Sequence, residues 1–424
     1  MKAKFKKRVL KNGLRIITIP KKESETVNLL VLAETGSKYE SPEEAGLSHF
    51  LEHMFFKGTK HRPKAGDIST ELDAMGAENN AYTSQELTGY YATVQPKLAD
   101  KVLDVLADMY LNATFPEADI AKESGVIIEE MNMYEDLPKQ QAQKLFFSLL
   151  YGDQPAGRPI IGSKKTVRSF TQKDFINYRA KHYVAEATVV VVAGKFNEAL
   201  MVKKIAKQFK GISTVANLSK SPVIESQTKP AIAVKRKDSD QTHLILGFRT
   251  FAAGHQDTET VDLLAAVLGG GMSSRLFRKI RDELGAAYYV SAYNDYYTDH
   301  GVLNIPVGTD NKRVEEIVKV ILEECRKLTT TLISKSELDR AKESMLGKLF
   351  LSLERSSGLA AFYGGEEIIR GQLESPETMA RKTRAITPRQ VRAVAQKIFT
   401  NENLNLALVG PFNNSGQFEP ILHL

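Results

Sequence analysis

The sequence predicts an α+β protein built from two homologous halves, each a sheet with helices packed on one face. Two observations support this prediction: long segments recur at a nearly constant offset, and apolar strands alternate with long helical patterns. The length of 424 residues agrees with two domains, because a single hydrophobic core rarely organises a chain of this size.

The internal repeat rests on two pairs of segments. Residues 116–124 (PEADIAKES) return as residues 336–344 (SELDRAKES), an offset of 220. Residues 169–196 return as residues 385–412, an offset of 216. Each member of this second pair reads as a Thr-capped amphipathic helix followed by an apolar strand that ends in Gly-x-Phe. Two pairs of similar segments at nearly the same offset indicate a duplicated architecture.

Residues 211–230 separate the two halves. This stretch is rich in Ser, Thr, Pro and Lys and lacks sustained periodicity, which is typical of a linker. We therefore predict domains at 1–210 and 231–424. The clearest predicted strands are 14–19, 27–33, 89–94, 188–193 and 243–248, and the clearest predicted helices are 98–111 and 314–328.

Composition and charge argue against two classes of protein. The formal charge is +7, but the 51 acidic residues are interleaved with the basic ones and no basic-aromatic motif recurs. We therefore expect no nucleic-acid binding. No apolar run approaches the roughly 18 residues that a membrane-spanning helix needs, so we expect no membrane partner.

The N-terminus and the single cysteine bear on location. The basic N-terminus lacks the apolar core of a secretory signal, and it runs directly into a predicted strand, which favours the fold over an organellar presequence. Cys325 cannot form an intrachain disulfide, which fits a reducing compartment. It lies on a helical pattern with no His or Asn constellation to make it a nucleophile. We expect a cytoplasmic protein.

Residues 46–55 (GLSHFLEHMF) contain the strongest chemical motif. Apolar residues fall at positions 47, 50, 51, 54 and 55, the spacing of an amphipathic helix. His49, Glu52 and His53 lie on the opposite face at i, i+3, i+4. Two imidazoles one turn apart can bind one zinc ion, and Glu52 can take a proton from a zinc-bound water. The competing interpretation is a solvated polar face.

A zinc peptidase site needs a third protein ligand, and residues 117–133 supply a helix rich in carboxylates. Glu123 and Glu130 are seven residues apart and share a face, whereas Glu129 points elsewhere. Spacing alone leaves both Glu123 and Glu130 open as the ligand, and it leaves open a salt-bridged surface pair.

These motifs resemble the pitrilysin/insulinase family of inverted-motif zinc peptidases, which includes the mitochondrial processing peptidases, and in particular its short bacterial or archaeal type. The segments HFLEHMFFKGT, NNAYTSQELTGYYATV, ESGVIIEEMNMYED and GRPIIGS follow in the family's order and approximate spacing. In the second half, GGGMSSRLFRKIRDELGAAYYVSAY resembles the family's Gly-rich loop and Arg/Tyr motif. The resemblance covers essentially the whole chain.

The resemblance implies roles for residues of the first half, making 1–210 the catalytic domain. Glu130 matches the third zinc ligand, with one zinc per chain, and Glu123 matches an acidic residue that supports ligand and water by hydrogen bonds. Asn80 and Ala81 match an edge strand whose backbone pairs with bound peptide. On residue types alone, Asn79 and Asn80 would be a turn pair entering a strand.

It also implies roles for residues of the second half. Arg281 and Tyr288 match a pair that stabilises charge on the scissile carbonyl. Without the resemblance, Arg281 is a charge near a helix C-terminus before the cap Gly285, and Tyr288 is a strand aromatic. The glycines have two interpretations, a flexible substrate loop, which the triple glycine favours, or a helix terminus; they are Gly269, Gly270 and Gly271.

The resemblance finally implies a half-clamshell chain that pairs as a homodimer around a chamber, with Arg281 and Tyr288 completing the zinc site of the other chain. The expected function is a zinc-dependent endopeptidase that cleaves peptides or unfolded and precursor polypeptides. The alternative is a non-catalytic partner or scaffold subunit of the processing-peptidase type. Such subunits have degraded metal motifs, whereas this motif is intact.

Overall fold

The structure, a computed structural model, describes residues 5–215 and 219–424. Part of the predicted linker, residues 216–218, lies outside the described residues. The chain forms two compact units. The first comprises Met1–Met131, Arg158–Ser221 and Leu351–Leu373, and the second comprises Asn132–Gly157, Pro222–Phe350 and Glu374–Leu424. The domain boundaries at 1–210 and 231–424 stay a prediction about the sequence repeat.

Each unit contains one sheet. The strands of the first sheet are β1 (Lys6–Val9), β2 (Arg15–Pro20), β3 (Val27–Ala33), β4 (Glu78–Thr83), β5 (Thr88–Val94) and β6 (Thr188–Gly194). The strands of the second sheet are β7 (Ala231–Arg236), β8 (Gln241–Thr250), β9 (Ala287–Val290), β10 (Tyr293–Tyr296), β11 (Gly301–Asp310) and β12 (Leu404–Gly410). The five strands that the sequence analysis placed are therefore confirmed, with shifts of at most two residues at their ends.

The helices of residues 5–215 and 219–424 divide between the two halves of the chain. Those of the first half are α1 (Leu47–Met54), α2 (Asp67–Ala74), α3 (Ala99–Asn112), α4 (Glu117–Asp136), α5 (Pro138–Tyr151), α6 (Lys164–Ser169), α7 (Gln172–His182) and α8 (Glu198–Gln208). Those of the second half are α9 (Thr258–Gly269), α10 (Val314–Thr330), α11 (Lys335–Ser352), α12 (Ser356–Gly365), α13 (Pro376–Ala385) and α14 (Pro388–Ile398), with π-helical turns at Phe277–Glu283 and Glu366–Arg370. None of these helices is both long and apolar enough to cross a membrane.

The two sheets share the order of four strands, β2-β6-β3-β5 in the first and β7-β12-β8-β11 in the second. The first has the strand order β1-β2-β6-β3-β5-β4, and the second has the order β10-β11-β8-β12-β7 with β9 also paired to β11. In each sheet one pair is parallel, β2 with β6 and β7 with β12. The neighbouring pairs are antiparallel, β3 with β6 and β8 with β12. This duplication confirms the predicted α+β fold of two homologous halves.

The second pair of repeated segments, residues 169–196 and 385–412, forms equivalent elements of secondary structure. The backbone N–H of Thr171 donates to Asp174 at 2.8 Å at the start of α7, and that of Thr387 donates to Gln390 at 2.9 Å at the start of α14. Both are capping boxes, in which the residue three positions on satisfies the first free backbone donor. The strands that follow, β6 and β12, are fully buried along their length.

Each unit also contains a helix from the other half of the sequence. Helix α5 belongs to the second unit, and helix α12 belongs to the first. A Cβ at Gly364 of α12 would lie 2.4 Å from Cδ1 of Leu32, and a Cβ at Gly247 of β8 would lie 2.5 Å from Cζ of Phe146 in α5. Both positions therefore require glycine for the helix to approach the sheet.

These exchanged helices cover a second face of each sheet. In β3, Leu29 and Val31 join the main core, whereas Leu30 and Leu32 lie against α12. Successive side chains of a strand point to opposite faces, so the main helical layer occupies one face and the exchanged helix the other. This explains why a strand such as β6 (TVVVVAG) is apolar at consecutive positions, since both its faces are buried.

Candidate metal centre

Helix α1 presents the predicted metal motif on its less buried side. Its apolar side chains are buried in the core, namely Leu47, Phe50, Leu51 and Met54. His49, Glu52 and His53 are partly exposed, as the spacing predicts. The apolar face therefore fixes the rotation of the helix, and that rotation sends the two imidazoles and the carboxylate to one side.

A buried carboxylate holds the N-terminus of α1. Gly46 precedes the helix with φ of 97° and offers no side-chain cap. Instead, the Glu40 carboxylate accepts the backbone N–H of Gly46 at 2.8 Å and that of Ser48 at 2.7 Å. Burial raises the pKa of Glu40 to about 7, although the N–H donors oppose that rise. Glu40 thus fixes where the helix begins, two residues before His49.

Helix α4 brings Glu130 to the two imidazoles. Its Oε2 lies 3.7 Å from Nε2 of His49 and 3.8 Å from Nε2 of His53. One ligand atom from each of the three residues lies within 4.8 Å of the other two, and this is the only such group of His, Cys, Asp and Glu in the described part of the chain. Two helices far apart in sequence therefore converge on one point.

The group has the chemistry of a zinc site. Tetrahedral zinc with ligands at about 2.0–2.1 Å separates its donor atoms by about 3.3 Å, close to the observed distances to Glu130. Two His nitrogens and a carboxylate are a donor set that catalytic zinc sites use, and they leave a fourth position open. Burial, aided by the charge of His53, lowers the pKa of His49 to about 3, so its ring stays in the neutral form that binds metal.

Glu123 lies behind His53 instead of beside Glu130. Its Oε1 lies 2.9 Å from Nδ1 of His53, and its Oε2 accepts from Nζ of Lys57 at 2.7 Å. Burial opposes ionisation of Glu123, but the hydrogen bonds from His53 and Lys57 outweigh it and lower the pKa. Burial also opposes protonation of His53, but the hydrogen bond to Glu123 and the charges of Glu52, Glu123 and Glu130 together outweigh it, so the pKa of His53 is raised.

This geometry distinguishes the two carboxylates that spacing left open. Glu130 faces the Nε2 atoms of both rings, whereas Glu123 holds the opposite nitrogen of His53. A carboxylate on the second ring nitrogen fixes the tautomer and orientation of a metal-binding imidazole. The arrangement agrees with the roles that the family resemblance implies, which stay predictions.

The Glu52 carboxylate stands between the metal group and strand β4. The hydroxyl of Thr83 donates to its Oε2 at 2.5 Å. Burial raises the pKa of Glu52, the Thr83 hydrogen bond opposes the rise, and the charge of Glu130 adds to it. A carboxylate with a raised pKa beside a metal site is suited to accept and then release a proton.

Asn80 and Ala81 lie on β4, the edge strand of the first sheet. Asn80 pairs with Tyr91 and Ala81 with Tyr90 on one side of β4, and no strand of residues 5–215 or 219–424 pairs with its other side. The interpretation of Asn79 and Asn80 as a turn pair is wrong, because both lie inside the strand. Their role in binding peptide stays a prediction.

Arg281 and Tyr288 belong to the second unit. Arg281 lies in the last turn of the π-helix before Gly285, and its Nη1 donates to the backbone carbonyl of Tyr288 at 2.6 Å. The side chain of Tyr288, on β9, is 59% exposed. Arg281 therefore is a charge near a helix C-terminus and Tyr288 is a strand aromatic, as the sequence alone indicates. Their catalytic roles stay predictions.

The three glycines close helix α9. Gly269 is its last residue and Gly270 its C-cap. A Cβ at Gly269 would lie 2.3 Å from the backbone nitrogen of Ala292, and one at Gly270 would lie 2.6 Å from Cα of Ala266, whereas Gly271 faces open space. Close packing therefore explains two of the three glycines. A substrate contact by Gly270 or Gly271 stays a prediction.

Sequence reasoning missed two polar residues of the site, Glu40 and Thr83. Thr83 had a usable signal, because it shares the alternation of Asn79 and Ala81 along β4, but nothing in the pattern indicates that Glu52 is its partner. Glu40 gave no local signal, since its bonds to Gly46 and Ser48 are made by the folded loop.

The fold and the metal group together define a candidate metallopeptidase, and comparison with known families agrees. Residues 15–164 match the family described as insulinase (peptidase family M16), and residues 169–345 match the peptidase M16 inactive domain. With full-length relatives above 30% identity, the chain belongs to peptidase family M16, the pitrilysin/insulinase family. The family resemblance seen in the sequence is therefore confirmed.

The relatives support zinc and a peptidase role. The chain is 35% identical to the uncharacterized zinc protease YmxG of Bacillus subtilis, over 97% of this chain and 99% of the relative. It is 36% identical to an uncharacterized zinc protease of Rickettsia felis, over 97% and 98%. A protease from Helicobacter pylori matches with a TM-score of 0.90 and 25% identity, covering 97% of this chain and 100% of that structure. A peptidase M16 inactive domain from Pseudomonas fluorescens, at 19% identity and a TM-score of 0.89, covers 96% and 98% and shares the fold.

Proposed function

We propose that the protein is a zinc-dependent endopeptidase that cleaves peptides or unfolded polypeptides. The convergence of His49, His53 and Glu130 within 4.8 Å, with Glu52 on the same face of α1, is the observation that carries the proposal. The names of the relatives support zinc as the metal, and one group of possible ligands in residues 5–215 and 219–424 supports one ion per chain.

Each residue of the site has a distinct task in this proposal. His49, His53 and Glu130 would hold the ion, and Glu123 orients the ring of His53. A zinc ion bound there would act as a Lewis acid toward water and the scissile carbonyl. Glu52 removes a proton from the attacking water and delivers it to the leaving amine, for which its raised pKa is suited.

The remaining assignments follow from the family resemblance. Asn80 and Ala81 would pair with the substrate backbone through the free side of β4, which binds peptides with little preference for sequence. Arg281 and Tyr288 would stabilise charge on the carbonyl oxygen, in a homodimer that encloses the substrate. A cytoplasmic location belongs to the same proposal.

The test is Glu52→Gln, assayed with a quenched peptide and by zinc analysis. The variant should lose at least about 1,000-fold in kcat, because general-base catalysis contributes up to about 10⁴-fold. Its zinc content should equal that of the wild type. Exposed Glu78 on β4 provides the matched control as Glu78→Gln, which should keep full activity. An active Glu52→Gln contradicts the proposal, and a zinc-loaded wild type that cleaves nothing favours the scaffold alternative.

A further inference from the structure

Strand β4 presents alternate side chains to the metal group. Along Glu78–Thr83 the exposed positions alternate with half-buried ones, and Asn79, Ala81 and Thr83 occupy the half-buried side. Ala81 packs on the core that α1 completes. The side chain of Thr83 therefore points to the same side of the sheet as α1.

The Thr83 hydroxyl meets the Glu52 carboxylate at 2.5 Å, the short end of the range for a hydroxyl donating to a charged acceptor. No second hydrogen bond reaches this carboxylate from residues 5–215 or 219–424. The Glu52 side chain has three rotatable bonds, so without this contact its carboxylate could take several orientations. Thr83 thus fixes the position of Oε2.

The Thr83 side chain is itself held rigidly. Thr83 pairs with Thr88 of β5, and its β-branched side chain has few allowed χ1 angles on a strand. The carboxylate is partly buried, where a hydrogen bond is stronger than in water. These features together suit Thr83 to hold a catalytic group in one place.

We propose that Thr83 is a positioning residue, whose hydroxyl holds the Glu52 carboxylate in the orientation that accepts the proton. This inference rests on the proposed function. It also links the reaction to substrate binding, since Thr83 lies on the same edge strand as Asn80 and Ala81, three and two residues away. A peptide bound along β4 would contact the same strand whose Thr83 orients Glu52.

The test compares Thr83→Val, which keeps the shape and removes the hydroxyl, with Thr83→Ser, which keeps the hydroxyl. Thr83→Val should lower kcat about tenfold with KM within about twofold, because a hydrogen bond that orients a reacting group acts on the chemical step. Thr83→Ser should recover to within about threefold of the wild type. Zinc content and melting temperature should stay at wild-type values in both.

Thr93→Val is the matched control. Thr93 lies on β5 of the same sheet, and its hydroxyl accepts from Asn28 instead of contacting the site. This variant should keep the wild-type kcat. If Thr83→Val instead loses thermal stability with an unchanged kcat, its hydroxyl only stabilises the strand and the inference is overturned.

A readout without turnover separates this inference from the proposed function. Crystal structures of the zinc-free wild type and of zinc-free Thr83→Val should show one orientation of Glu52 in the first and several in the second. An unchanged Glu52 in Thr83→Val overturns the positioning role, whether or not the wild type cleaves peptides. If Glu52 takes several orientations in Thr83→Val but the wild type cleaves no peptide, the peptidase assignment is contradicted and the positioning role is not.

Discussion

Glu123 in the first unit and Glu343 in the second hold the same place in the internal repeat, 220 residues apart. The Glu123 side chain is 8% exposed and contacts His53 and Lys57. The Glu343 side chain is 66% exposed and pairs with Arg384 at 3.3 Å. The same residue in the same repeated segment thus contacts a histidine of the candidate metal centre in one unit and forms a surface ion pair in the other.

The next positions of the repeat diverge further. Glu130 approaches two imidazoles in the first unit, whereas the residue 220 positions later is Phe350, which is 39% exposed. Strand topology and the capping boxes of α7 and α14 are nevertheless shared. Fold and chemistry are therefore encoded separately: the buried strands and caps repeat, and the ligands of the metal group do not.

The largest expected difference between Glu123 and Glu343 is in the zinc affinity of their Gln variants. Glu123→Gln should weaken zinc binding about 10- to 100-fold, because carboxylates that orient a ligating imidazole have effects of that size. Glu343→Gln should leave the affinity unchanged. Titration against a chromophoric chelator measures both. Equal affinities for the two variants would mean that Glu123, like Glu343, is only a partner in an ion pair.

A smaller effect is expected in the pH dependence of stability, through Glu40. Burial raises its pKa from 4.5 to about 7, so between these values the folded protein holds a proton that the unfolded chain has released. The stability from this group is complete below pH 4.5 and is lost as the pH rises through 7. Across this window the wild type should lose on the order of 2–3 kcal/mol more than Glu40→Gln.

Chemical denaturation of both proteins at pH 5 and pH 8 measures this difference. The unfolding of the first unit is the relevant transition, because Glu40 lies in that unit. Parallel losses in the wild type and in Glu40→Gln would show that Glu40 is ionised throughout and holds the start of α1 as a charged cap.

Much of the fold followed from local patterns in the sequence. Alternating and continuous apolar runs placed strands such as β3 and β6, and the repeat predicted the duplicated sheets. The exchange of α5 and α12 could not be predicted, because an apolar helical face does not specify which sheet it covers. The run of valines in β6 was the one indication that both of its faces are buried.

The site, like the fold, has a part that the sequence could predict and a part that it could not. His49, Glu52 and His53 share one helix, so their common direction follows from helical geometry alone. The choice between Glu123 and Glu130 depends on how α4 packs beside α1, which spacing within α4 cannot express. Thr83 and Glu40 act through contacts between separate segments, and only the folded chain brings them to Glu52 and to Gly46.

The central claim, that α1 and α4 share one zinc ion, is tested most directly by the zinc content of Glu130→Gln beside Glu129→Gln. These neighbours differ in direction, since Glu130 faces the imidazoles and Glu129 is exposed. If this claim is correct, the wild type and Glu129→Gln should each bind one zinc per chain, and Glu130→Gln should bind zinc more than about 100-fold more weakly. Full zinc binding by Glu130→Gln would contradict it.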